Sequence, residues 1–471
     1  MSEFTPYTPS LGERQPPKKK FRWWLVLSIF GVPMALIGLA VLVFRVGWTI
    51  RENQGRKAMV VELQKLDDEG FATDNETIDE RYLGRTSEEN TQRWMELFET
   101  CKSPEFLESA TGVPLIDRKI LLDDFADDFD TSPEWRFAEE SKRFTQEQAE
   151  IIKQIRQLAA EPLPVYFSIY FQSTETLLPE VQSIRDVARI IQVDAQLAIH
   201  LKDADRAVAD IVTLIELTKN VDAVPFTVSK LVGIALRRMA LQALQRAIEV
   251  DLLNDSQLQQ IDELLKAFCD IGDRWSVILS DEMGTSLPVF VNPQLSMNTK
   301  GPIPARGHDA VYYIGLMRRA IAIPSDDWSS MYASALELEA ELDNSTKSTM
   351  HMVDRILSGV LTPTFVGIAA ALINEAQLHR QARVAIAIRR TAHQDGQLPR
   401  GLDQLSATLD SSAALTPYGG LPFGYRHLDS TAVLWGFNMT KDMQRTPRSI
   451  PPTDEATAAA LANRSIVWWF R

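Results

Sequence analysis

Six histidines and two cysteines are the side chains from which a metal centre or covalent site would be built in this 471-residue chain. His379 and His393 stand 14 positions apart in one apolar run. On a helix rising 1.5 Å per residue they are separated by about 21 Å and cannot share an ion. His379 falls on the apolar face and reads as a core residue held by a neighbour such as Glu375, one turn away. Cys101 and Cys269 would allow one bridge in an exported domain, or would be two small buried apolar side chains; either could also be a nucleophile with a histidine brought from elsewhere. Asp123, Asp124, Asp127, Asp128 and Asp130 are dense enough to suggest calcium, which needs six to eight oxygens. Leu122, Phe125 and Phe129, spaced by three and four, instead make an amphipathic helix whose acids face water, and no glycine supplies a sharp calcium-loop turn. Glu337, Glu339 and Glu341 do not all share one side of their helix, so the three carboxylates give paired-carboxylate catalysis no common face. There is no Gly-x-Ser-x-Gly elbow, phosphate-cradling glycine loop or His-Glu-x-x-His. The residues therefore assign no catalytic, cofactor-binding or metal site and imply no cofactor. A hydrolase with dispersed catalytic residues is an alternative, and an enzyme is not the expected class.

The elements that carry these residues begin with an anchor. Trp23 to Phe44 runs 22 residues without a charge, which on a helix spans about 33 Å and crosses a bilayer once. Trp23, Trp24 and Trp48 flank the run where amphipathic rings favour the headgroup boundary. The Lys18-Lys19-Lys20-Phe21-Arg22 cluster ahead of it favours an N-terminus inside, with residues 1–22 as a cytoplasmic tail and the rest outside the cytoplasm. Residues 1–57 hold nine basic side chains against three acidic ones, so with a total of −14 the remainder carries −20. A body this acidic argues against nucleic acid as a partner.

Residues 46–160 read as a helical stalk and an acidic helical region, with Val60, Val61, Leu63 and Leu66 on one stripe and Trp94, Leu97 and Phe98 on another. Residues 161–363 read as a body of helical hairpins. Val187, Ile190, Ile191, Ala195, Ala198 and Ile199 form one face, and Lys202-Asp203-Ala204-Asp205 makes the turn. Ala207, Ile211, Leu214, Ile215 and Leu217 form the next face. A further helix starts after Pro225, and Ser256 is the expected N-cap of the one after it. These hairpins resemble tetratricopeptide repeats, without the diagnostic Trp, Gly, Tyr and Pro positions and without a sustained period of about 34 residues. The proline-rich 285–307 predicts an irregular segment, with helices resuming at 309–322 and 326–343.

Residues 364–471 read as a long helix over about Thr364 to Gln394 followed by a small antiparallel sheet, with Trp435 and Phe437 in one of its strands. The helix stop at Gly396-Gln397-Leu398-Pro399, the Leu402 and Leu405 turn and Pro417-Tyr418-Gly419 resemble the C-terminal part of the type II secretion major pseudopilin. Thr416 stands where an acid usually precedes that element, and only Asn438 and Asp442 represent its calcium loop. Taken whole, the order of anchor, alanine-rich hairpins at 186–219 and a final apolar strand at Ser465–Phe470 resembles a group of bacterial membrane-anchored helical proteins of uncharacterised role. That resemblance implies bacterial origin and fold order but no activity.

The expected fold is mainly α: an N-terminal transmembrane helix at 23–45, a helical hairpin array and a small C-terminal α+β module. The expected function is a single-pass, extracytoplasmic (periplasmic) scaffold or protein-interaction module on a bacterial inner membrane. It would be tied to the membrane through Trp23–Arg45 and would meet a protein partner or itself. The alternative is a structural subunit of a secretion or pilus-like envelope assembly.

Overall fold

A computed structural model describes residues 32–117, 120, 135–171, 176–291, 306–347, 355–405, 409, 423–428, 431–436 and 467–470. By contact density the chain divides into residues 1–54 and 55–471. In the first unit the described residues belong to helix α1 (Val32–Asp68), on which Met34, Leu36, Ile37, Leu39, Val41, Leu42, Val43 and Phe44 are all exposed. Residues 1–31, which include the start of the expected span, lie outside the described residues.

The second unit is mainly helical with one small sheet. Its first short helices are α2 (Asn75–Gly84), α3 (Thr91–Lys102), α4 (Pro104–Ser109), α5 (Ala138–Glu147) and α6 (Ala149–Ala159). The hairpin region follows as α7 (Pro179–His200), α8 (Ala204–Asp222), α9 (Thr227–Glu249) and α10 (Asp255–Leu265). Then come α11 (Arg274–Val291), α12 (Arg306–Ile321), α13 (Trp328–Lys347), α14 (Ile356–Leu361) and α15 (Phe365–Asp395).

The hairpins form where the apolar spacing predicts them. Asp203 caps α8 by accepting from the Arg206 amide, which satisfies one of the donors a helix start leaves without a partner. The expected Ser256 cap is corrected: Asn254 caps α10, accepting from the Gln257 amide while the Gln257 side chain accepts from the Asn254 amide. A reciprocal cap satisfies two orphan donors where a lone serine satisfies one. The irregular reading of 285–307 is corrected in its first part, because α11 continues through Pro288 to Val291. Pro288 is among the buried residues of that helix, so packing outweighs the missing amide and the ring's clash with the preceding turn. Residues 292–305 lie outside the described residues.

Two hydrophobic cores result. One gathers α2–α10, the C-terminal half of α15 (Ala382 to Ile388) and the sheet. The other gathers the end of α1 (Met59, Leu66) with α11–α14 and the N-terminal half of α15 (Phe365 to Ala376). The long helix thus belongs to both. Val60 and Val61, expected on the apolar stripe, are exposed, and the buried face is Gly55, Met59 and Leu66. The stretch from 50 to 100 is three helices with turns between them. Gly55 and Gly307 bring α1 and α12 together so closely that a Cβ on Gly307 would overlap the Gly55 main chain.

Gly396 ends α15 with φ +71°, a left-handed conformation that glycine adopts without Cβ strain. Beyond it β1 (Gly424–Leu428), β2 (Thr431–Trp435) and β3 (Val467–Phe470) form an antiparallel sheet in the order β1-β2-β3, with Leu434 opposite Trp468. Ala432, Leu434, Trp468 and Phe470 face the larger core, while Val433, Trp435 and Val467 form a small cluster on the other face. Trp435 is buried. Phe437, Asn438, Asp442, Pro417-Tyr418-Gly419 and the acids Asp123 to Asp130 lie outside the described residues.

Among the described residues, the stretch Ile356–Asp395 is the one long and apolar enough to cross a membrane. Its apolar window is half buried within the fold, and α15 serves both cores.

Candidate functional site

A cleft of about 460 Å³ opens between α8, α10 and the short turn that follows α10. Pro164, Ile215, Ala223, Leu264, Ala267 and Phe268 give it apolar walls, and Arg85, Glu216, Thr218, Lys219 and Asp222 give it polar ones. Volume and lining fall in the range of a pocket with few polar fixing points.

Behind the cleft runs a chain of ion pairs. Arg237 of α9, 2% exposed, bonds Asp222 of α8 through Nη1 and Glu375 of α15 through Nε. Arg274 of α11 bonds the second Glu375 oxygen at 2.5 Å. Lys230 donates to the Asp222 carbonyl and reaches Asp281 at 3.4 Å, and Arg85 reaches the same Asp281 at 3.2 Å. Burial opposes ionisation of Glu375, yet Arg237 and Arg274 hold its carboxyl below the usual range. Five elements meet through these groups, and breaking one partner would strand a buried charge.

Phe268 joins network to cleft. The Arg237 guanidinium lies 4.7 Å from its ring centre and the His379 ring 5.2 Å away. His379 is fully buried. Its Nδ1–H donates to the Glu375 main-chain carbonyl at 2.8 Å, and its Nε2 has no hydrogen-bond partner. Burial lowers its pKa to about 4. Glu375 holds the ring as the spacing predicts, through its main-chain carbonyl, because the two arginines occupy the carboxylate. His393 instead pairs with Asp251 at 2.8 Å.

A second network ties α6, α7 and α8. Arg156 bonds Asp194 at 2.7 Å and Asp210 at 2.6 Å, and Arg206 bonds Asp194 again. Burial first, and Asp194 second, push Asp210 well above the usual carboxylate range. Arg383 with Asp262 and Arg390 with Asp255 fasten α15 to α10.

The remaining sequence candidates stay apart. Cys101 is half-buried, Cys269 buried, and both are free thiols. Burial pushes the Cys101 thiol up to about 12, which removes the thiolate a nucleophile requires. Glu339 accepts from the Val366 amide at the start of α15, and Glu341 pairs with Arg319. Among the described residues no three His, Cys, Asp or Glu side chains gather in a way that could hold a metal ion. In sequence the arginines carry no motif. Arg237 within Ala235-Leu236-Arg237-Arg238-Met239, and Glu375 within Ile373-Asn374-Glu375-Ala376, are charges set in otherwise apolar helical faces. That is the pattern of a buried ion pair. Comparison with protein-family models, with curated proteins and with solved structures gave no match.

Proposed function

We propose that this chain is a single-pass, membrane-anchored helical interaction module. Trp23–Arg45 would be its anchor in a bacterial inner membrane, and the body would stand outside the cytoplasm and present the cleft between α8 and α10 to a protein partner. The observation that carries the reading is the cleft itself, an open apolar slot whose Glu216, Lys219 and Asp222 are each committed to an ion pair. Groups so engaged shape a surface better than they move protons. The uncharged run from Trp23 and the exposed apolar side chains from Met34 to Phe44 support the anchor. The other long apolar stretch, in α15, carries Glu375, Arg383 and Arg389 as buried charges, the mark of a core helix held by partners.

The long helix stopped at Gly396 and followed by an antiparallel sheet supports a second reading, a structural subunit of a secretion-type assembly. A photocrosslinking side chain placed at Ala267, an exposed position on the cleft, separates the two in cells. The module reading expects one discrete heterologous adduct from Ala267 and none from the same probe at Lys153 on α6. Adducts made only of copies of this chain would favour the assembly subunit. Equal adducts from both positions would remove the cleft as the site.

A further inference from the structure

The C-terminal end of α2 carries Arg81 and Arg85, four residues apart and so on one face. Two like charges at that spacing destabilise a helix unless something compensates them. Arg85 lines the cleft, and it shares with Arg81 the wall of a small adjoining void closed by Ala72, Ile78, Tyr82 and Asp281. The neighbouring acid is Asp281, buried and already shared between Arg85 and Lys230. Glu282 beside it is pushed up by burial, toward its neutral form. Three cations thus converge on one committed carboxylate. Among the described residues, no hydrogen bond or ion pair engages the Arg81 guanidinium, and its pKa is lowered by burial first and by Arg85 second. The acids on the cleft rim cannot supply the missing charge, since Glu216 holds Lys219 at 2.8 Å and Asp222 holds Arg237. In a body of net −20 this junction is locally positive, and it borders the apolar wall of Leu264 and Phe268.

We infer that Arg81 and Arg85 recognise an acidic side chain on an extended segment of a partner protein, whose adjacent apolar side chain packs into the cleft against Leu264 and Phe268. Guanidinium forks bind carboxylates bidentately, so the arginine pair would fix the acid while the apolar wall supplies burial. A lone inorganic anion would leave that wall uncovered. The inference rests on the cleft being the partner surface and adds the chemistry of what enters it.

The test is fluorescence anisotropy on the full chain in lipid nanodiscs, with a fluorescein-labelled peptide Gly-Asp-Phe-Asp-Leu-Gly-amide and its counterpart bearing Asn for both Asp. The acidic peptide should bind at least tenfold more tightly than the Asn peptide. Arg81→Gln, which has no partner to lose, should fold with an unchanged melting temperature and forfeit most of that preference. Ala267→Trp, which fills the slot, should weaken the acidic peptide by a similar factor. Equal affinity for the two peptides, binding of neither, or full preference in Arg81→Gln would overturn the inference. Those failures alongside a discrete heterologous adduct from Ala267 would refute the acidic chemistry and leave the cleft standing, whereas loss of the adduct as well would remove both.

Discussion

His379 shows how one side chain reports on its surroundings. Its ring is fully buried against Phe268, with burial lowering its pKa to about 4 from an ordinary 6.5. Between those values the unfolded chain takes up a proton that the folded chain refuses, so stability is fully present above about pH 6.5 and falls as pH drops toward 4. The contribution is on the order of 3 kcal/mol. Urea unfolding of the wild type and His379→Gln at several pH values should therefore converge as pH falls from 7 to 4.5. A constant difference would place His379 in water. The position of this histidine in the core was legible from its apolar neighbours. Glu375 as its partner was legible from the spacing, but which atom of Glu375 holds the ring was not, because spacing does not tell whether the carboxylate is already occupied. Arg237 and Arg274, 138 and 101 residues away in sequence from Glu375, settle that. Arg81 was invisible for the same reason: only the fold brings Asp281 near it.

At the scale of elements the hairpins were the most legible part, because a spacing of three and four fixes a buried face without knowledge of what covers it. Leu214 and Leu236 are fully buried in the larger core. Leu214→Ala and Leu236→Ala should each cost about 2–5 kcal/mol by leaving a cavity, read as a shift of the denaturation midpoint at unchanged slope. A loss below about 1 kcal/mol at either site would mean that the hairpins are not packed as described. The continuation of α11 through Pro288 was not legible, since local sequence argues for a break and only the surrounding burial opposes it. The crossing at Gly55 and Gly307 was likewise silent, because a glycine in a helix reads as a weakness until a neighbouring main chain is seen against it. Gly307→Ala should force α1 and α12 apart and lower the melting temperature. Gly315→Ala, on the same helix with open space around it, should leave it unchanged or raise it, as the relative helix propensities require. Equal behaviour of the two alanine variants would contradict the close crossing.

For the whole molecule, the mainly helical class and the small antiparallel sheet could be read from period and from turn residues. The sharing of α15 between two cores could not, since both its halves look equally apolar in sequence. What this architecture provides is a helical body with an open cleft, cross-braced by ion pairs that run from α2 to α15. Its use depends on where the body stands. The polybasic cluster at Lys18 to Arg22, the uncharged run behind it and the acidic body together favour a span with the C-terminus outside the cytoplasm. The measurement that tests this most directly is the activity of a reporter enzyme that works only after export, fused behind Arg471 of the full chain. The account predicts an active reporter that sediments with membranes and becomes soluble when residues 1–45 are removed. An inactive exported reporter, together with a cytoplasmic reporter that is active at the same position, would contradict it.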